Sequence, residues 1–282
     1  MPQADEKGRP AETMARPLPG CSDSNSFFWM SPTDAPLRHD PYCGPAPQPE
    51  TLLGAWNTEP VLLTLLALAG AAGLWRLRRT GDARRMRAFG GASAVAVLAF
   101  LSPLCALSVA LFAARGLHHL VLIFALAPAL ALAFPLRRVG AGPGFLSLSL
   151  ALWAWHVPTL YAAAWDHAGI YWAMQAALIL PAWAFWSALL HGPQTLGARL
   201  GAGLQLAALA GQMGLIGAIL TFAPHILYPE HLVLTEPFGL SPLADQHLAG
   251  LVMWVPGMLP VALAAGWMLR SAWMRATEGG RA

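Results

Sequence analysis

Residues 61–87 read VLLTLLALAGAAGLWRLRRTGDARRMR, fifteen residues without a charge followed by six arginines against a single aspartate. An apolar run approaching ~20 residues can cross a bilayer as a helix, and a dense arginine cluster behind it holds that end in the cytoplasm. The stretch therefore predicts a first transmembrane helix that starts outside and ends inside.

Similar runs follow at 88–110, 117–136, 144–164, 169–190, 201–223 and 246–269; with the first, at 59–75, they predict an all-α fold, a bundle of seven transmembrane helices. Composition agrees: of 282 residues 56% are hydrophobic and 11% charged, whereas a soluble domain carries roughly a quarter charged residues. The lipid bilayer is thus the first partner. Pro103, Pro128, Pro158, Pro181 and Pro256 lie inside the runs and predict kinks, which neighbouring helices tolerate in a membrane. On the sixth run, Gly203, Ala207 and Gly211, and also Ala210, Gly214 and Ala218, have the small-xxx-small spacing of close helix contacts.

Alternation from the first span places the N-terminus outside and the C-terminus in the cytoplasm. Arg137, Arg138, Arg199, Arg270, Arg275 and Arg281 then fall inside, and Arg115 outside. Asp166, Glu230, Glu236 and Asp245 are all external. Three regions result: a polar, Pro-rich external segment over 1–57, partly disordered; the seven-helix domain over 58–270; and a cytoplasmic tail over 271–282. Phe27-Phe28-Trp29-Met30 is too short for the ~7–15-residue apolar core of a signal peptide, and Met14 and Met30 are alternative starts. Of the 17 basic residues 16 are Arg, clustered beside apolar runs rather than along one face, which argues against a nucleic-acid partner. Cys21, Cys43 and Cys105 are an odd count, so no disulfide framework is implied, although one external pair stays open.

This topology sorts the nine histidines eight to one: all but His191 are external or in the outer half of a span. Imidazole is the commonest transition-metal ligand near neutral pH. His39, His167 and His231 sit in loops or the tail at no fixed spacing to another ligand and read as interface residues. His156 lies about eight residues, ~12 Å, below the outer end of its helix, where an ionisable group marks a functional candidate; alone, it reads equally as a ligand or a satisfied structural histidine. His119, His156 and His247, with His118 beside the first, approach the outer third of one bundle from three spans. Met253 and Cys105 offer soft sulfur, and a mixture of imidazole with thioether or thiolate favours copper. In the tail, His39 and Cys43 form a candidate outer capture pair. The sequence has no Gly-rich phosphate loop, Ser-His-Asp arrangement, catalytic carboxylate pair or His-Glu-x-x-His motif, which argues against an enzyme.

Several strings resemble the CtaG-like cytochrome c oxidase assembly proteins: Ser102-Pro103-Leu104-Cys105-Ala106-Leu107-Ser108, His118-His119, Trp153-Ala-Trp155-His156-Val-Pro158, Phe185-Trp186, and Asp245-Gln246-His247 through Met253-Trp254-Val-Pro256-Gly257. Asp40-Pro41-Tyr42-Cys43-Gly44-Pro45 and Trp56-Asn57 are similar to the shorter proteobacterial branch, so residues 39–270 are covered. The resemblance implies a seven-helix, multi-pass protein of the bacterial cytoplasmic (inner) membrane. Such a protein assists maturation of a haem-copper oxidase by handling copper, with oxidase subunits or other assembly factors as partners. The chain departs from it at Arg115 and Gln175, where relatives carry His. Two other readings of the outer histidines are a membrane transporter of copper or another small cation, and a bis-His haem electron-transfer protein, which needs opposed imidazoles at matched depth.

Overall fold

The computed structural model describes residues 41–136, 139–192 and 195–279. The expected external tail up to residue 40, including His39 and the Phe27–Met30 patch, lies outside the described residues.

All regular structure among the described residues is helical. Glu59 opens the first helix, α1 (Pro60–Arg78): its carboxylate accepts the N–H groups of Val61 and Leu62 at 3.0 and 2.6 Å, and Pro60 occupies the first position, where a missing N–H costs nothing. Gly81, at φ 67°, reverses the chain, and Asp82 caps α2 (Ala83–Phe100) through the N–H groups of Arg84 and Arg85. Ser102 and Pro103 then start α3 (Pro103–Ala110), bent 40° from α2. One extended residue, Leu111, leads into α4 (Phe112–Val121), which runs through a π-helical stretch, Leu122–Leu126, into α5 (Ala127–Ala133). The remainder is α6 (Ala141–Trp155), α7 (Pro158–Asp166), α8 (Ala168–His191), α9 (Leu196–Phe222) and α10 (Pro242–Gly279).

Among the described residues five helical stretches are long and apolar enough to cross a membrane: Pro60–Arg78, Phe112–Ala133, Ala168–His191, Gly197–Phe222 and Pro242–Met268; the bent α2–α3 pair makes a sixth if it is one span. The expected run at 144–164 is instead two helices, of 15 and 9 residues, broken at His156-Val157. Pro158 is the cause, since its ring excludes the preceding residue from helical geometry. Pro181, Pro256 and Pro260, by contrast, lie inside continuous helices.

Pro128 is accommodated by the π stretch. There Ala127 N–H bonds the Leu122 carbonyl, five residues back, so the next bond in the series would join residue 128 to Ile123, and proline has no N–H to give. The indole N–H of Trp186 donates to Ile123 O at 2.8 Å instead, tying α8 to the weak point of its neighbour. The indole N–H of Trp183 does the same for the Phe134 carbonyl beyond α5, at 3.0 Å.

Helices α9 and α10 approach closely at Gly217 and Gly250, where an added Cβ on Gly217 would sit 2.8 Å from Gly250 O. The expected Gly203, Gly211 stripe meets nothing within 4 Å, while Gly214 lies against Trp254. The spacing was right for the helix, but contact selects the face one turn beyond. Residues 41–59 lie over one end of the bundle. Tyr42 stacks on Tyr171 with ring centroids 4.9 Å apart, and Cys43 is joined to Cys105 by a disulfide, with Cα atoms 5.4 Å apart.

Candidate functional site

Under that strap the start of α4 is held by another helix. The buried carboxylate of Asp245, on α10, accepts the N–H groups of Phe112 and Ala113 at 2.6 and 3.1 Å. It thereby supplies the cap that Leu111 cannot.

One turn further along α4, Arg115 is buried, 4% exposed. Its Nε donates to Ser108 O at 3.1 Å, and its guanidinium carbon lies 5.8, 5.9 and 5.9 Å from the ring centres of Tyr161, Trp165 and Tyr171. Three electron-rich faces around a cation compensate in part for its lost hydration.

His231, from the loop between α9 and α10, closes this cage and is 2% exposed. Its Nδ1 faces Ala110 O at 3.4 Å, an acceptor only, so Nδ1 carries the proton. Nε2 therefore accepts from the Tyr161 hydroxyl, 2.7 Å away. Burial first, and the Arg115 charge second, push the imidazole down to about 3, which keeps it neutral. Tyr228 stacks on Phe112 at 4.1 Å and donates to His156 O at 2.8 Å, fixing the break between α6 and α7.

The histidines singled out from the sequence divide into two groups. His118 and His119 are buried side by side, their rings 5.9 Å apart, and His119 lies within electrostatic range of the half-buried His156 as well as of Arg115. His118 Nε2 lies 3.1 Å from Ala99 O and His156 Nδ1 2.6 Å from Leu152 O, so each ring is oriented by a backbone carbonyl. His118 Nδ1 and His119 Nε2 have no hydrogen-bond partner in the protein. Neither has the amide of Gln175, buried at 1% exposure one turn along α8 from Tyr171. His247 is separate, its Nε2 tied to Ala223 O at 3.0 Å where α9 ends. The expected convergence of His119, His156 and His247 is therefore not assembled, and among the described residues no three His, Cys, Asp or Glu side chains are grouped to hold a metal.

Met253 is buried and packs beside Gly116 on α4. Cys105 and Cys43 are both consumed by the disulfide, which corrects their reading as a thiolate ligand and a capture residue: a disulfide sulfur is not a thiolate. The cage of Arg115, Tyr161, Trp165, Tyr171 and His231 was not legible in the sequence, where His231 reads as a loop residue and Asp245 as an external acid. The one available signal was Arg115 itself, alone among the basic residues after the first link in its expected external placement.

The cytochrome c oxidase caa3 assembly factor family matches residues 71–143 and 141–276, spans that together take in the last part of α1, all of α2 to α9 and most of α10. The chain belongs to that family. No curated protein and no solved structure matches it.

Proposed function

We propose that this protein acts without catalysis in the maturation of the copper centres of a haem-copper cytochrome c oxidase. It would do so as a seven-span protein of the bacterial cytoplasmic membrane, with its N-terminus outside and the broken α6–α7 pair as the fourth span. Two features support that orientation. The arginines between α1 and α2 belong in the cytoplasm. The Cys43–Cys105 disulfide lies at the opposite helix ends and belongs in an oxidising compartment.

The observation that carries the copper reading is the state of the imidazoles. Metal-bound histidines keep one ring nitrogen on a backbone carbonyl or carboxylate and present the other. His118 has this arrangement, with Nε2 at Ala99 O and Nδ1 buried without a partner. His118 and His119 would each offer an imidazole nitrogen to passing copper, with His156 within electrostatic range of His119 as a further donor, a series of donors rather than one closed site, and His247 would serve structure. Arg115 fixes a positive charge beside them, which opposes tight retention of a second cation and suits an ion that is passed on.

The test is copper per oxidase, with haem as the internal control, in a strain carrying His118→Ala and His119→Ala. Copper should fall while the assembly factor stays at normal abundance. An oxidase with full copper would overturn the copper role and leave the family membership intact.

A further inference from the structure

Helix α1 meets the rest of the bundle along one narrow face. Its buried residues are Leu62, Gly73 and Leu77, and an added Cβ on Gly73 would strike the Phe89 ring of α2. The outward face, with Val61, Leu65, Leu68 and Trp75, is exposed. At its arginine-rich end that face carries a groove of about 460 Å³, lined by Ala71, Leu74, Trp75, Arg78 and Arg79.

The groove changes character along the helix. Its residues are spaced three and four apart and share one side of α1, so apolar side chains line one end and two guanidinium groups the other. The Arg79 guanidinium carbon lies 3.8 Å from the centre of the Trp75 ring, in cation–π contact. That contact keeps the charge against the groove, although both arginines are exposed.

The remaining charges of this link are engaged elsewhere. Asp82, its single acid, gives one oxygen to the N–H groups that open α2 and the other to Arg85, 3.3 Å away. Arg76 lies over the Phe134 ring, 5.6 Å from its centre. Among the described residues no carboxylate pairs with Arg78 or Arg79. Two cations beside an apolar face therefore take their counter-charge from outside the chain.

One kind of occupant satisfies both ends. A free phosphate leaves Ala71 and Leu74 uncovered, and a bare hydrocarbon leaves the guanidinium groups unpaired. A zwitterionic lipid brings a second cation to a link that already holds six arginines against one aspartate.

We propose that the groove binds an anionic glycerophospholipid, with its phosphodiester on Arg78 and Arg79 and an acyl chain along Ala71 and Leu68. Guanidinium groups match phosphate oxygens with paired N–H donors, and Trp75 stands at the depth where indole rings settle in a membrane. In the orientation proposed above the lipid belongs to the cytoplasmic leaflet. The site is independent of the copper reading, since none of its residues takes part in that reading.

The test uses the full chain purified in detergent, with bound lipid counted by native mass spectrometry from an equal mixture of phosphatidylglycerol and phosphatidylcholine of the same chains. Phosphatidylglycerol should be retained about tenfold over phosphatidylcholine. The double variant Arg78→Gln with Arg79→Gln should abolish that preference with the Cys43–Cys105 disulfide still formed. Arg84→Gln with Arg87→Gln removes the same charge from the same link outside the groove and should keep it. If the first variant does not accumulate, Trp75→Leu decides: it removes the support of Arg79 at unchanged charge and should cut the preference about threefold. Equal retention of the two lipids by the parent protein, or an unchanged preference in the groove variant, would overturn the proposal. An equal loss in both double variants would overturn it too, assigning the effect to the diffuse charge of the link. Displacement of the lipid by an equal concentration of glycerol 3-phosphate would assign the guanidinium groups to a free phosphate ester instead.

Discussion

Asp245 accepts the Phe112 N–H at 2.6 Å across a separation of 133 residues, so α10 caps the start of α4. Loss of an N-cap costs about 0.5–2 kcal/mol, and orphaned buried N–H groups bring the total for Asp245→Ala to about 2–4 kcal/mol. Asp245→Asn, which keeps one acceptor oxygen, should retain about half of that stability. Thermal unfolding in detergent with membrane abundance measures both; equal stability of Asp245→Ala and the parent protein would refute the cap.

The strap should depend on its covalent tie. Alkylation before reduction is expected to label neither Cys43 nor Cys105 in cells, and Cys43→Ser should expose residues 41–59 to external protease. The accompanying stability loss is about 2–4 kcal/mol. A Cys105 thiol that labels without reductant would contradict the bond.

His231 sets a pH dependence whose sign follows from its depressed pKa. The folded protein keeps the ring neutral down to about 3, whereas the unfolded chain protonates near 6.5. Its contribution is therefore complete above pH ~6.5 and is lost as the pH falls toward 3, by ~1.4 kcal/mol per unit. Arg115 and Tyr161 face the ring, and protonation would set two cations together. His231→Gln, which can still accept from Tyr161, should flatten the unfolding curve between pH 6.5 and 5 relative to the parent.

His156 separates function from packing. Its ring bonds only the Leu152 carbonyl, and its own carbonyl, which survives substitution, receives Tyr228. His156→Ala should thus leave abundance near normal while oxidase activity falls. Activity loss matched by loss of the protein on quantitative immunoblot would return His156 to a structural role.

Spans were legible where apolar length was uninterrupted, as at Pro60–Arg78 and Ala168–His191, because the bilayer imposes a length on the sequence. The break at His156-Val157 was legible only as a kink, since Pro158 signals a disturbance and not its size. Pro181, in a helix that continues, shows the same limit. The Arg115 cage draws on α4, α7, α8 and the loop before α10, and no period along the chain connects those positions. Likewise, the odd cysteine count left one pair open without choosing it; the stacking of Tyr42 on Tyr171 and the Asn57 N–H bond to Leu101 O hold residues 41–59 where Cys43 meets Cys105.

The Trp186–Ile123 bond also constrains the order of biogenesis. As the nascent chain emerges, the Phe112–Ala133 span carries Ile123 out 63 residues before its indole donor, and an unpaired carbonyl in hydrocarbon costs several kcal/mol. That span should stay poorly committed, beside the insertion machinery or a lipid-borne water, until α8 arrives to release it. Two co-expressed fragments divided between α7 and α8 should accumulate together, with the first degraded when the second carries Trp186→Phe.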